Sequence, residues 1–223
     1  MTGRGFLVFD LDGTLSDPAL GVYRCLNYAL ADAGLDVIPE SAVSRYIGPP
    51  LDVSFRALAP AFDEAGIRSL VSRYRERYAE VGYRENRLYP GVAEALADLA
   101  ARGIPLGVCT SKREDFAVRI LEMFGLRDVF RFVDGGDVGI AKASQLGDLL
   151  AAGRIDADAT MIGDRAVDIL AARANGLAAV GVLWGHGSRE ELTEAGADLL
   201  LAGTDQLATV PLTRFPQSVS PGR

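Results

Sequence analysis

Two carboxylates stand close together in the segment 10–14, directly after a short apolar run. One carboxylate can attack phosphorus while the other delivers a proton to the leaving oxygen, which combines nucleophilic and general acid catalysis. A glycine at position 13 allows a tight turn that brings backbone N–H groups close to an anion, so we expect Gly13 and Thr14 to bind the substrate. A polar turn also contains Asp and Gly, but it does not need two acidic groups beside a buried strand. The segment therefore predicts Asp10 as the nucleophile and Asp12 as the general acid of a phosphoryl transfer.

A second pair of carboxylates lies far along the chain. Asp164 and Asp168 are four residues apart after a short apolar run, so both side chains share one face of the first turn of a predicted helix. Acidic residues at this end of a helix also interact favourably with its dipole, which is the alternative for this pair taken alone. With Asp10 they form a cluster of the oxygen ligands that Mg²⁺ prefers. The sequence therefore predicts a Mg²⁺ site that involves Asp10, Asp12, Asp164 and Asp168. Asp12 is expected to contribute its backbone carbonyl, and Asp168 to orient the metal shell or Lys142.

Positive charge and hydroxyl groups follow two other apolar runs. Lysine occurs only at positions 112 and 142, and the other permanently cationic side chains are all Arg. Because carboxylates alone would repel a phosphate, we expect Lys142 to bring a compact positive charge to the phosphate or to Asp10. An exposed helix residue is the alternative. Thr110 and Ser111 stand at a predicted helix start, where they either donate to phosphate oxygens or cap the helix.

Apolar runs of strand length alternate with segments of helical period along most of the chain. Strands are predicted at 6–9, 104–109, 130–133, 160–162 and 177–183. Helices are predicted at 18–34, 92–101, 114–124, 141–152 and 166–174, with a further helix that opens at Ser188. This alternation is typical of an α/β fold, a parallel sheet with helices on both faces, which binds ligands at the carboxyl ends of its strands.

The stretch between the first two strands shows helical patterns alone. It predicts an all-helical cap inserted into an α/β core, and the division of the chain is 1–15 and 87–210 for the core, 16–86 for the cap and 211–223 for a disordered tail. A cap over a site can exclude water and contact the leaving group. Arg45 and Arg56 flank a Gly-Pro-Pro turn, and we expect Arg56 to bind the substrate, with a solvated helix face as the alternative.

Composition excludes several classes of protein. The formal net charge is -7, which disfavours binding to nucleic acid and to anionic membranes. No apolar run approaches the ~18 residues that span a bilayer, and the N-terminal segment is too short for a signal peptide, so we expect a cytoplasmic protein. The two cysteines, Cys25 and Cys109, are predicted to be buried and reduced, and His186 is predicted to lie in a surface loop.

These motifs, in this order, resemble those of the haloacid dehalogenase superfamily of phosphotransferases. The pattern of that superfamily is Asp-x-Asp-Gly-Thr, then Thr or Ser after a strand, then Lys, then Gly-Asp-x-x-x-Asp. It is matched here by Asp10 and Asp12, Thr110, Lys142, and Asp164 and Asp168. Segments 46–51, 89–92 and 181–185 look like the phosphoglycolate-phosphatase-like branch, some members of which are nucleotidases. Many relatives have Pro after the Lys, whereas this chain has Ala143.

The resemblance implies a Rossmann-like parallel sheet with an inserted helical cap. It also implies a Mg²⁺-dependent phosphatase that acts on a small phosphorylated metabolite such as phosphoglycolate through an aspartyl-phosphate, with Asp10, Asp12, Thr110 and Lys142 as the catalytic residues. Three alternatives stay open at this point: a 5′-nucleotidase of the same branch, a sugar phosphomutase, and a non-catalytic protein that binds phosphorylated metabolites. Fold analogy alone does not identify a leaving group.

Overall fold

A six-stranded parallel sheet forms the centre of the molecule. The computed structural model describes residues 5–212. The strands of this sheet are β1 (Leu7–Phe9), β4 (Leu106–Thr110), β5 (Phe132–Gly135), β6 (Thr160–Gly163), β7 (Ala178–Val182) and β8 (Leu199–Leu201). Their order in the sheet is β5-β4-β1-β6-β7-β8, and every neighbouring pair is parallel. This architecture confirms the α/β fold class.

Strand β1 lies inside the sheet because it is apolar on both faces. Leu7, Val8 and Phe9 are all fully buried, which is expected of a parallel strand covered by helices on both sides. In register, Leu7 pairs with Leu106 of β4 on one side and with Thr160 of β6 on the other. The residue that follows this strand, Asp10, therefore lies at the carboxyl edge of the sheet between two neighbouring strand ends.

Helices cover both faces of the sheet. The helices of this part of the chain are α4 (Val92–Ala101), α5 (Glu114–Met123), α6 (Lys142–Ala151), α7 (Ala166–Ala174) and α8 (Arg189–Glu194). One buried cluster joins Phe9 to residues of α4 and α5, and a second joins Val8 to residues of α6 and α7. Because Val8 and Phe9 point to opposite faces, each face of β1 is packed against its own pair of helices.

A helical segment stands between two short strands, β2 (Ser16–Asp17) and β3 (Arg87–Leu88), which pair antiparallel. Residues 18–86 are called the cap segment below. Its helices are α1 (Ala19–Asp32), α2 (Leu51–Leu58) and α3 (Glu64–Glu80), with 3₁₀ turns at Glu40–Tyr46 and Gly82–Glu85. A chain of hydrogen bonds links the ends of the segment to α3: Ser16 donates to Asn86 at 3.3 Å, and the Asn86 amide donates to the Tyr78 hydroxyl at 3.1 Å.

The predicted elements agree with the observed ones, and the misses concern short strands. Helix 92–101 is observed over those residues, and helix 166–174 likewise. The strands β2, β3 and β8 were not predicted, because two or three residues carry no periodicity. Cys25 and Cys109 are free and buried, as predicted. None of the described helices is long and apolar enough to cross a membrane, and residues 213–223 of the predicted tail lie outside the described part of the chain.

Helix α3 of the cap segment begins with an N-cap residue, Asp63, whose contribution to stability can be measured. The Asp63 carboxylate accepts a hydrogen bond from the Gly66 N–H at 2.8 Å. We expect Asp63→Ala to lower the free energy of unfolding by about 1 kcal/mol, because the N–H loses its partner. Asp63→Asn is the matched control, since Asn caps a helix as well as Asp does. Chemical denaturation measures the free energy of unfolding of both variants, and equal stability of the two would contradict the N-capping role of Asp63.

Candidate active site

The carboxyl ends of three strands bring the predicted site residues together. Asp10 follows β1, Thr110 ends β4 and Asp164 follows β6. All three are buried, with 3%, 1% and 0% of their surface exposed. Lys142 is the first residue of α6 and is 2% exposed. Polar groups this deeply buried are costly unless they have hydrogen-bond or ion-pair partners, so each of these residues needs such a partner.

Lys142 stands between two of the carboxylates. Its Nζ lies 3.0 Å from Asp10 Oδ1 and donates a short hydrogen bond to Asp168 Oδ1. Burial alone would lower the pKa of Lys142, but the charges of Asp10 and Asp168 more than compensate and raise it above its usual value. Lys142 therefore carries a positive charge at neutral pH, and Ala143 after it does not prevent the contact with Asp10.

Asp10, Asp164 and Asp168 form a compact acidic cluster. One carboxylate oxygen from each lies within 4.8 Å of the other two. Burial is the main cause that raises the pKa of Asp164, and the charges of Asp168 and Asp10 add to it. Burial likewise raises the pKa of Asp168 to about 6, against the opposing charge of Lys142. Three buried carboxylates with one ammonium have excess negative charge, which a divalent cation would compensate.

The chemistry of these donors fits Mg²⁺. The ion prefers carboxylate oxygens and a small number of protein ligands. Asp10 Oδ1 has no aligned hydrogen bond among the described residues although it is buried, so it has a lone pair free for a cation. Asp10, Asp164 and Asp168 are therefore the side chains that would hold the metal.

Two loops hold Asp164 in place. The hydroxyl of Thr14 donates to Asp164 Oδ1 at 3.5 Å, and the backbone N–H of His186 donates to Oδ2 at 2.8 Å. Gly13 has a φ of 85°, and a Cβ there would collide with the Asp164 carboxylate. The structure thus places Gly13 and Thr14 against a metal-ligand candidate, and their predicted contact with the substrate stays a prediction.

Asp12 has a partner that the sequence interpretation missed. The Nζ of Lys112 lies 2.7 Å from Asp12 Oδ2 and donates to the Tyr78 hydroxyl at 2.7 Å. Burial raises the pKa of Asp12, and Lys112 opposes the shift. Burial would lower the pKa of Lys112, but Asp12 and Tyr78 raise it, so this lysine is charged at neutral pH. The signal was present in the sequence: Lys112 is one of two lysines, and it stands two residues after Thr110.

A cavity of about 100 Å³ lies between the cap segment and the sheet edge. The predicted residues Asp10, Asp12, Thr110 and Ser111 line it from one side. The cap segment contributes aromatic and proline residues, among them Tyr46, Pro49, Pro50, Tyr74 and Tyr78. The site is thus a small pocket with charged groups at its base and largely apolar walls.

Arg56 is a predicted site residue that lies neither in the wall of this cavity nor in the acidic cluster. It lies on the surface of α2, where its guanidinium pairs with Glu64 and lies 3.6 Å from Asp52. Arg75 of α3 lines the cavity instead and pairs with Asp137 across from it. The break that the sequence predicts at Gly48-Pro49-Pro50 is observed before α2. Which face of α2 meets the core depends on packing, and the sequence does not show it.

His186 and Arg165 connect the loops around Asp164 to the cap segment. The prediction that His186 lies in a surface loop was wrong. The His186 side chain is 10% exposed, with Nε2 3.5 Å from Asp17 Oδ1 and Nδ1 3.3 Å from Ser44 Oγ. Burial is the main cause that lowers the pKa of His186. Arg165 donates to the backbone oxygen of Ile47 and, through Nε, to Glu191 at 2.9 Å.

The sheet and its buried acidic cluster define an α/β protein with a site suited to a divalent cation and a phosphate. The chain belongs to the haloacid dehalogenase-like hydrolase family, which matches residues 7–182. It is 39% identical over 190 residues to a 5′-nucleotidase of Pseudomonas aeruginosa, covering 83% of this chain and 86% of that protein. It is 36% identical over 205 residues to a phosphoglycolate phosphatase of Yersinia pseudotuberculosis, covering 88% of each. The crystal structure of a predicted phosphatase from Clostridium acetobutylicum superimposes with a TM-score of 0.87 and 34% identity, covering 92% of this chain and 97% of that one.

Stability measurements with and without metal test the cluster. The pKa values of Asp164 and Asp168 are raised above their usual 3.8 in the folded chain, so the folded state holds these protons more tightly than the unfolded one. Without metal, stability should therefore fall as the pH rises from about 4 through about 6, the pKa of Asp168. Mg²⁺ should raise the unfolding temperature more at pH 7.5 than at pH 5, by about 2–4 °C for each kcal/mol of binding.

A variant isolates the contribution of one carboxylate. Asp164→Asn should unfold at a higher temperature than the wild type without metal, because a buried like charge is removed. It should also lose most of the response to Mg²⁺. Asp128→Asn, at an exposed position on a 3₁₀ turn, is the control and should keep the full response. An Asp164→Asn protein that Mg²⁺ stabilises as strongly as the wild type would contradict the metal assignment.

Proposed function

We propose that this chain is a Mg²⁺-dependent phosphatase that hydrolyses phosphomonoesters of a small metabolite through an aspartyl-phosphate on Asp10. The observation that carries the proposal is the position of Asp10. It is buried between two neighbouring strand ends, its Oδ1 is 3.0 Å from the Lys142 ammonium, and Asp12 lines the same cavity two residues later. A nucleophile, a proton donor and a cation in one pocket are what phosphoryl transfer by a carboxylate requires.

In the first step a carboxylate oxygen of Asp10 attacks phosphorus. The bond between phosphorus and the ester oxygen breaks, and that oxygen takes a proton from Asp12 and leaves as an alcohol. Because burial raises the pKa of Asp12, its protonated form persists to a higher pH than that of an exposed carboxyl group. The products of this step are the free alcohol and a phosphorylated Asp10.

In the second step Asp12, now a carboxylate, accepts a proton from water. The resulting hydroxide oxygen attacks phosphorus, the bond from phosphorus to the Asp10 oxygen breaks, and inorganic phosphate leaves. Asp10 is restored as a carboxylate and Asp12 as a carboxylic acid, so the cycle is closed. The division into two displacements is what a covalent nucleophile contributes to catalysis.

Other residues bind the phosphate and hold the nucleophile. Thr110 accepts a hydrogen bond from the backbone N–H of Lys112 at 3.3 Å, so its hydroxyl proton is available for a phosphate oxygen, with Ser111 beside it in the cavity wall. Lys142 fixes Asp10, and Asp168 positions Lys142 through their short hydrogen bond. Mg²⁺, when held by Asp10, Asp164 and Asp168, supplies positive charge that offsets the phosphate and lowers the barrier to attack.

The substrate is the finer part of the proposal. Relatives of this chain are a 5′-nucleotidase and a phosphoglycolate phosphatase. Lys112 lines the cavity beside Asp12, and its positive charge favours a leaving group that carries a small anion, as glycolate does. We therefore propose a phosphoglycolate phosphatase-like activity, with nucleotide hydrolysis, sugar phosphate isomerisation and binding without turnover as the competing outcomes of one assay.

That assay is the release of inorganic phosphate from a panel of phosphomonoesters, measured with Mg²⁺ and with a chelator. We expect release to depend on the metal and Asp10→Asn to lower kcat by at least about 1000-fold, because the nucleophile is lost. The variant should keep the wild-type far-ultraviolet circular dichroism. Full activity in Asp10→Asn would contradict the mechanism. Interconversion of sugar phosphate isomers without release would identify a mutase, and binding without either reaction would identify a non-catalytic protein.

A further inference from the structure

Lys112 carries a buried positive charge beside the proposed general acid. Its side chain is 8% exposed, and Nζ contacts Asp12 Oδ2 and the Tyr78 hydroxyl, both at 2.7 Å. An ammonium group has three N–H donors, so these two contacts leave a third donor. Lys112 also lines the cavity. A ligand in the cavity can accept from this third donor, and a hydrogen bond from a charged group is stronger than a neutral one.

The position of Lys112 limits where such a ligand can be. Asp12 has to reach the leaving oxygen to protonate it, and Lys112 is one hydrogen bond away from Asp12. One carboxyl group therefore separates the ammonium from the leaving oxygen. A substrate atom that contacts Lys112 belongs to the part of the leaving group nearest the ester bond, which is the carbon that bears the ester oxygen or a substituent on that carbon.

The surroundings favour a small anionic substituent. Hydrogen bonds between an ammonium and a carboxylate are about twice as strong as neutral ones, and the aromatic walls formed by Tyr74, Tyr78 and Phe116 strengthen them by excluding water. Arg75 and Arg113 also line the cavity, where each pairs with a carboxylate, Asp137 and Asp115.

We propose that Lys112 is the specificity-determining residue for the leaving group and binds a carboxylate on the carbon that bears the ester oxygen. The substrates of the chain are then phosphate monoesters of small 2-hydroxy acids, and this inference rests on the proposed phosphatase function. Lys112 has a role distinct from that of Lys142: Lys142 is tied to Asp10 and Asp168, whereas Lys112 faces the part of the substrate that departs.

Two esters of equal length test the proposal. They are 2-phosphoglycolate, which has the carboxylate, and 2-hydroxyethyl phosphate, which has a neutral hydroxymethyl group in its place. We expect the wild type to favour 2-phosphoglycolate in kcat/KM by at least about 10-fold, the effect of one hydrogen bond between charged groups. In Lys112→Met the ratio should fall to within about two-fold of one, because the variant has no charge to discriminate between the esters.

The ratio separates specificity from any effect on the general acid. Lys112 contacts Asp12, so its loss should slow both esters, and that common factor cancels in the ratio. Lys112→Arg keeps the charge and should restore part of the preference. Arg102→Met removes a cation of the α4 C-terminus that pairs with Asp98, and it should leave the ratio at the wild-type value. Circular dichroism checks folding, and Lys112→Gln replaces the Met variant if the latter is unfolded.

The outcomes distinguish this inference from the function on which it rests. Phosphate release from both esters at similar kcat/KM in the wild type, or an unchanged preference in Lys112→Met, would overturn the role of Lys112 and leave the phosphatase function standing. A higher kcat/KM for nucleoside monophosphates than for 2-phosphoglycolate would overturn the substrate class. No release from any ester would overturn the function together with the inference.

Discussion

The burial of three carboxylates around one ammonium is the constraint on which the rest of this structure depends. Asp10, Asp164 and Asp168 stand at the edge of an apolar sheet, where charges of one sign are costly unless they are compensated. Lys142 compensates one of them, and a divalent cation would compensate the remaining negative charge. The glycines at 13 and 185 follow from the same constraint, because a side chain at either position would occupy the space of the Asp164 carboxylate. Local sequence, strand order and loop shape therefore all contribute to holding the three carboxylates beside the Lys142 ammonium.

Most of the core of this site could be predicted from the sequence, because it depends on residue type and on strand ends. Asp10, Thr110 and Asp164 each follow or end a buried apolar run, and parallel topology brings such ends to one edge. The metal-ligand candidates lie together for this reason. Helix bounds such as 92–101 were predicted because glycine and proline mark them clearly.

The missed residues depend on packing between distant segments. Lys112 donates a hydrogen bond to Tyr78, which is 34 positions away in the sequence, and His186 contacts Ser44, which is 142 positions away. Arg56 and Arg75 both stand on cap helices, and only the packing of α2 and α3 decides that Arg56 meets Glu64 while Arg75 lines the cavity. Periodicity shows which face of a helix is apolar, but it does not show what that face contacts. For this reason the acidic cluster at the strand ends could be predicted from the sequence, while the contacts of Lys112 with Asp12 and Tyr78 required the structure.

The near absence of lysine has a consequence of its own. Both lysines of the chain lie in the site, with side chains that are 8% and 1% exposed, and the other permanent side-chain cations are arginines. Reagents that acylate amines therefore find no lysine on the outer surface, and covalent labelling of a lysine side chain would report that the pocket had opened to solvent. Arginine keeps the exterior inert to such chemistry because its guanidinium stays protonated at any ordinary pH. The two side-chain amines of this molecule are thus built-in probes of movement between the cap segment and the sheet.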